Sequence, residues 1–156
     1  MFERLKSMFR TPQPVGPAEA IAAFGPGDAP IAQDNIHAQD TAWRVTVDGA
    51  RSVPLFEVPM ALAAEAAMLT YRARMRAEGL QGKAYLEMWC RLPGRGEFFS
   101  KGLHNALTGT TDWAEYEIPF YLKAGQQPDL IKLNLFGEGA GQLWIKDIAL
   151  LRTPLG

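Results

Sequence analysis

Tyr85, Glu87 and Trp89 occupy alternate positions of the segment from Lys83 to Leu92, so an extended chain sets two aromatic rings and a carboxylate on one side. That grouping suits a polyhydroxylated ligand such as a glycan: aromatic planes cover the apolar faces of a sugar ring, while carboxylate, amide and guanidinium groups meet its hydroxyls. Arg72 and Arg74 alternate in the same way on the preceding segment, and Lys132 and Asn134 on a later one. If all seven share one sheet face, they line a shallow polar groove. The opposing reading is a solvated sheet face with one large ring covered by the N-terminal segment, since aromatic residues are also good strand formers. Arg72, Arg74 and Arg76 pose a second choice. Their planar forks match a carboxylate or phosphate of a ligand, or they pair across strands with Glu87, Glu115 and Glu117, whose availability favours pairing.

No constellation points to catalysis, and the expectation is a protein that is not an enzyme. Cys90 falls in the apolar phase between Met88 and Leu92, where a thiol acts as a small core residue. His37 and His104, the two histidines, lack metal-ligand spacing. Glycoside hydrolysis needs two carboxylates at a set separation, and no pattern fixes such a pair; Glu87 and Glu97 have no stronger claim than others. The glycines of Gly94-Arg95-Gly96 and Gly137 to Gly141 neither open a helix nor precede Lys-Ser/Thr, so they read as turns with positive φ and not as phosphate loops. Trp113 and Trp144 read as core at the end of the fold. No cofactor is expected.

The 156 residues, 47% of them hydrophobic, suit one domain with a sizeable core and a tail. A formal charge of −1 provides no field to steer nucleic acid, which is not expected as a partner. A single cysteine excludes an internal disulfide framework and a thiolate zinc site. Neither a signal-peptide core nor about 18 consecutive apolar residues occurs, so the expected location is the cytoplasm. Phe2, Leu5, Met8 and Phe9 lie at helical spacing with Arg4, Lys6 and Arg10 around them. Such an amphipathic helix gives residues 1–24 a surface for a membrane or a protein partner, or clips back onto its own domain.

Prolines at positions 12, 14, 17, 26 and 30 mark residues 1–35 as a proline-rich arm with one or two short helices, the second running from Pro17 to Phe24 before Gly25. From Ile36 the texture alternates, and residues 36–156 read as one β domain. Asp48-Gly49 between Trp43–Val47 and Ser52–Val58 is a hairpin signal, with Pro54 and Pro59 confining the second run to an edge or a bulge. Residues 60–65 read as a turn or short helix, 66–77 as a strand, Gly79 to Gly82 as a turn, Lys83–Leu92 and Glu97–Lys101 as strands, and 102–110 as a loop. Trp113–Leu122, Leu130–Phe136 and Gln142–Arg152 bring the count to about eight strands, an antiparallel β-sandwich.

The closing third carries a resemblance. Gly109-Thr110-Thr111-Asp112-Trp113, the apolar run Ile131-Lys132-Leu133-Asn134-Leu135, Gly137-x-Gly139, and Trp144-x-x-Asp147 followed by Leu150 resemble the second half of galactose-binding-domain-like jelly rolls, which include carbohydrate-binding modules of bacterial enzymes. The resemblance covers residues 66–152 and implies a jelly-roll sandwich with a non-catalytic binding role. Many such domains hold a structural calcium through an acidic pair in the last strand. Here Lys146 precedes Asp147, and Asp34, Asp40 and Asp48 form no compact ligand loop, so calcium is not expected. Two functional expectations follow: a glycan-binding module using Arg72, Arg74, Tyr85, Glu87, Trp89, Lys132 and Asn134, or an interaction module that uses the N-terminal arm.

Overall fold

Alternation between apolar and polar residues persists from Ala67 to Leu92, and in space that stretch is one 26-residue strand. The computed structural model describes residues 12–61 and 65–156. These form nine strands: β1 (Glu19–Phe24), β2 (Ile36–Gln39), β3 (Ala42–Asp48), β4 (Arg51–Pro59), β5 (Ala67–Leu92), β6 (Gly96–Lys101), β7 (Leu107–Leu122), β8 (Leu130–Gly137) and β9 (Ala140–Pro154). All pairings are antiparallel. The first half of β5 lies between β7 and β9, and β9 also holds β1 and β3, with β2 outside β3. Its second half lies between β6 and β8, with β4 outside β8. The sheet therefore curls about β5 into the two layers of a jelly-roll β-sandwich.

Both halves of β5 must turn apolar residues inward, yet their phases differ. Leu69, Tyr71, Ala73, Met75 and Ala77 are buried in the first half, and Leu80, Ala84, Leu86, Met88, Cys90 and Leu92 in the second. A strand alternates with period two, so passing from odd to even positions needs one extra residue. Gly79, at φ 61, supplies it, and the register with β7 shifts between Ala77 and Leu80 and again before Ala84. The turn expected at Gly79 to Gly82 is therefore a bend within one strand. The start of β9 packs backbone against backbone on this bend: a Cβ on Gly141, itself at φ 150, would lie 2.6 Å from Leu80 Cα.

Other expectations are corrected by the pairing. Asp48-Gly49 does not close a hairpin, because β3 pairs with β2 and β9 whereas β4 pairs with β8. Its positive φ, 79° at Gly49, turns a corner between layers, fixed by the Gly49 N–H donating to the Gly139 carbonyl at 2.7 Å. Pro54 does lie on an edge strand and at a register shift, and the N–H groups of Ile31 and Ala32 donate to the Leu55 and Pro54 carbonyls. The segment read as a second helix is strand β1, since the open side of β9 offers ladder partners that outweigh the modest helix preference of an Ala-rich hexapeptide. The helix read at Phe2 to Phe9 lies outside the described residues. Strand β7 begins at Leu107, several residues before Trp113, after a short 3-10 turn at Leu103–Asn105.

Between the layers, Phe24 stacks on Phe56 at 4.0 Å and Trp43 meets Phe56 edge-on at 5.6 Å. Burial pushes the Cys90 thiol from its ordinary 9.0 up to about 12, and raises the Tyr71 hydroxyl too, through desolvation first and the Glu87 charge second. Both groups stay protonated in the folded chain at pH values where the unfolded chain loses their protons. The unfolded state then binds fewer protons, so stability is complete below about pH 9 and falls as pH rises toward 12. Melting temperature is expected to decline across that window, and Tyr71→Phe to shallow the decline; a flat profile to pH 11 contradicts the burial argument. Gly141→Ala is expected to lower the unfolding free energy by about 3 kcal/mol in urea titration through strain at positive φ and the clash with β5.

Candidate functional site

The outer face of the second layer is organised by register. One ladder row joins Ser52, Phe136 and Tyr85; the next Pro54, Asn134, Glu87 and Lys101; the third Glu57, Lys132, Trp89 and Phe99. Glu87 stands at the centre and is only 2% exposed. Its Oε1 accepts from Ser52 Oγ at 2.6 Å, Trp89 Nε1 at 3.0 Å and Asn134 Nδ2 at 3.1 Å, while Oε2 lies 3.8 Å from Lys101 Nζ. A carboxylate this enclosed is a bracket. It fixes the indole and amide and has little capacity left for a ligand.

Around the bracket lies an open groove of about 340 Å³. Trp89 packs against Phe99 with centroids 5.2 Å apart, and Phe99 is 56% exposed. Lys101 Nζ sits 4.7 Å from the Phe99 ring, and Lys132 pairs with Glu97 at 2.7 Å. Two ammonium groups thus face two carboxylates, so the groove has no net charge. It presents the Trp89 ring, an amide and ion-paired donors and acceptors, which fits uncharged hydroxyl-rich ligands better than free ions.

Of the seven residues singled out in the sequence, Glu87, Trp89, Lys132 and Asn134 line this groove. Tyr85 borders it but is buried, stacked on Phe136 at 5.1 Å. Arg72 and Arg74 do not join them: they lie on the first half of β5, opposite Glu117 and Glu115 of β7, in the other layer. The bend at Gly79 is the reason. It also removes Glu87 from reach of the arginines, and among the described residues none of Arg72, Arg74 and Arg76 forms an ion pair. Arg76 instead lies 3.7 Å from the Trp144 ring and 5.8 Å from Trp113, with Lys146 Nζ 4.2 Å from Trp113. Trp144 is buried beneath these contacts and donates to Gln39 Oε1 at 3.3 Å, but it belongs to the outward phase, and Trp113 is only half-buried. Neither fills the space between layers.

Phe99, Lys101 and Glu97 are not among the seven residues expected to bind ligand, although the sequence holds a signal for them. They alternate along a segment joined to the Trp89 strand by a three-residue turn, which fixes Phe99 opposite Trp89. Ser52 and Phe136 depend on the long-range pairing of β4, β8 and β5, for which the local pattern holds no signal. Asp34 pairs with Arg51 at 3.6 Å and Asp40 holds a turn at φ 56. Among the described residues no three His, Cys, Asp or Glu side chains converge as metal ligands do.

No protein-family model and no curated protein matches the sequence. Solved structures match its fold. The VP2 subviral particle of infectious bursal disease virus superposes with a TM-score of 0.60 at 10% identity, over 89% of this chain and 33% of that one, and the virus of the Gx strain with 0.57 at 12%, over 90% and 32%. This chain therefore spans about a third of those viral chains. A CBM4 structure matches with a TM-score of 0.51 at 8% identity, over 78% of this chain and 76% of that one. The CBM22-1–GH10 modules of Clostridium thermocellum xylanase 10B match with 0.51 at 8%, over 86% and 25%. These likenesses establish a shared jelly-roll architecture.

Replacing Glu87 tests the bracket. Glu87→Ala leaves the donors of Ser52, Trp89 and Asn134 without their acceptor and is expected to cost about 3 kcal/mol of stability. The Trp89 indole N–H resonance is expected to move toward its solvent-exposed position, and an unmoved resonance rules the bracket out.

Proposed function

We propose that this chain is a non-catalytic binding module and that the groove beside Trp89 and Phe99 takes a neutral glycan. The observation that carries this reading is the exposed Phe99 ring set against Trp89, whose indole is held by a buried carboxylate. Aromatic faces fixed before the ligand arrives lose little freedom on binding, and sugar C–H faces stack on them at small entropic cost. Ion-paired Lys132 and Glu97, with the Asn134 amide, offer donors and acceptors to hydroxyls without drawing charged competitors. Likeness in fold to a CBM4 and a CBM22 module supports the reading as analogy, because architecture alone does not assign function.

A second reading has its own observation. Phe98 and Phe99 are 44% and 56% exposed on the short strand β6, and the fold is shared with a viral protein seen in particles, so the same strand could serve contact with a second protein. Contact of residues 1–24 with a membrane or protein partner belongs to this reading.

A glycan array probed with the full chain, neutral and acidic glycans included, separates the two. Binding of a neutral glycan that weakens about tenfold or more in both Trp89→Ala and Phe99→Ala supports the module. A folded parent that binds no glycan, yet associates on size-exclusion chromatography in a way that Phe99→Ala abolishes, replaces it with the second reading.

A further inference from the structure

The outer face of the first layer holds another recess, remote from Trp89. Where β9 runs beside β5, the register steps from Arg72 opposite Ala149 to Arg74 opposite Lys146, leaving Asp147 and Ile148 to face Ala73 alone. Asp147 adopts φ 52, and Asp40 is the other non-glycine residue with positive φ among the described residues. This bulge lies inside the layer, between two paired neighbours of β9, where a regular ladder would be expected to continue. A trough of about 320 Å³ opens there, with Ala23 and Ala149 among its lining and Arg72, Arg74, Glu115 and Asp147 around them.

The two guanidinium groups are uncommitted. Among the described residues neither the Arg72 nor the Arg74 side chain makes a hydrogen bond, an ion pair or a ring contact, although Glu117 and Glu115 stand opposite them in the ladder. Their forks therefore present donors that the protein leaves to something else, while the adjacent Glu115 and Asp147 carboxylates present acceptors. Sulfate brings acceptors alone, and inorganic phosphate concentrates up to two negative charges with one or two hydroxyls on a single compact group, so that either ion meets both carboxylates with repulsion. A neutral sugar brings hydroxyls but no oxyanion for the forks. A sugar carrying a carboxylate brings both.

We infer that the Arg72–Arg74 trough is a second binding site, for a uronic-acid-type sugar whose carboxylate is taken by the guanidinium forks and whose hydroxyls donate to Glu115 and Asp147. This site does not rest on the reading of the groove at Trp89. Lys146 and Arg76 beside it add positive potential that favours the acidic sugar over its ester.

Isothermal titration of the full chain with trisaccharides of galacturonate, glucuronate and mannuronate, their methyl esters and inorganic phosphate tests the inference. At least one acid is expected to bind, its ester at least tenfold more weakly, and phosphate not to compete. Arg72→Gln and Arg74→Gln, each with an unchanged melting curve, are expected to abolish that binding, while Trp89→Ala leaves it intact. The inference is overturned if a folded parent binds none of the acids, if both glutamine variants bind as the parent does, if Trp89→Ala removes the binding, or if phosphate displaces the sugar.

Discussion

A strand that buries alternate residues in two different layers must change phase where it crosses between them, and everything on the outside of this molecule follows from that slip in β5. Gly79 makes it at a φ of 61, and the backbone of Gly141 packs so closely on Leu80 that the turn between β8 and β9 is tied to the bend. With the slip, Tyr71 and Met75 point into the core from one half and Leu86 and Met88 from the other. The complementary positions then point outward on opposite sides of the sandwich: Arg72 and Arg74 on the first layer, Trp89 and the enclosed Glu87 on the second.

The two faces solve the problem of outward polar groups differently. Burying the Glu87 carboxylate costs several kcal/mol, and three donors, each worth about 1.5 to 3 kcal/mol to a charged acceptor, offset that cost together with the Lys101 ammonium at 3.8 Å. That enclosure converts Trp89 and Asn134 into fixed groups. On the first layer, by contrast, Arg76 is held by stacking on Trp144, and Arg72 and Arg74 retain their donor capacity.

Much of the fold was legible locally. Alternation along Lys83–Leu92 gave that strand and its buried face, and Pro93 to Gly96 gave the turn that follows, because period and turn chemistry are properties of neighbouring residues. What the local pattern lacked was partnership. Asp-Gly supplies positive φ equally to a hairpin and to a corner between layers, so Asp48-Gly49 could not report that β3 and β4 part company. An Ala-rich hexapeptide takes the structure its surroundings offer, and β9 offered β1 a ladder. The candidate groove divided for the same reason: Arg74 and Glu87 alternate with their neighbours in identical fashion, and only the glycine bend between them decides that they face apart.

Architecture does not choose between a ligand-binding module and an assembling one, since the same jelly roll superposes on a CBM4 structure and on a viral VP2. Surface chemistry supports the first of these for the groove proposed above. A stable protein interface buries about 800 Å² on each partner around a core depleted of charge. The face at Phe99 is interrupted by Lys101, Lys132 and Glu97, all tied to their neighbours by ion pairs or ring contacts, and its groove of about 340 Å³ falls in the range of a small-molecule site. Desolvating those ion pairs across a flat partner costs more than one exposed ring returns. A sugar chain, which keeps its own water at the rim and brings hydroxyls to the charges, avoids that cost, and this asymmetry weights the reading toward a ligand.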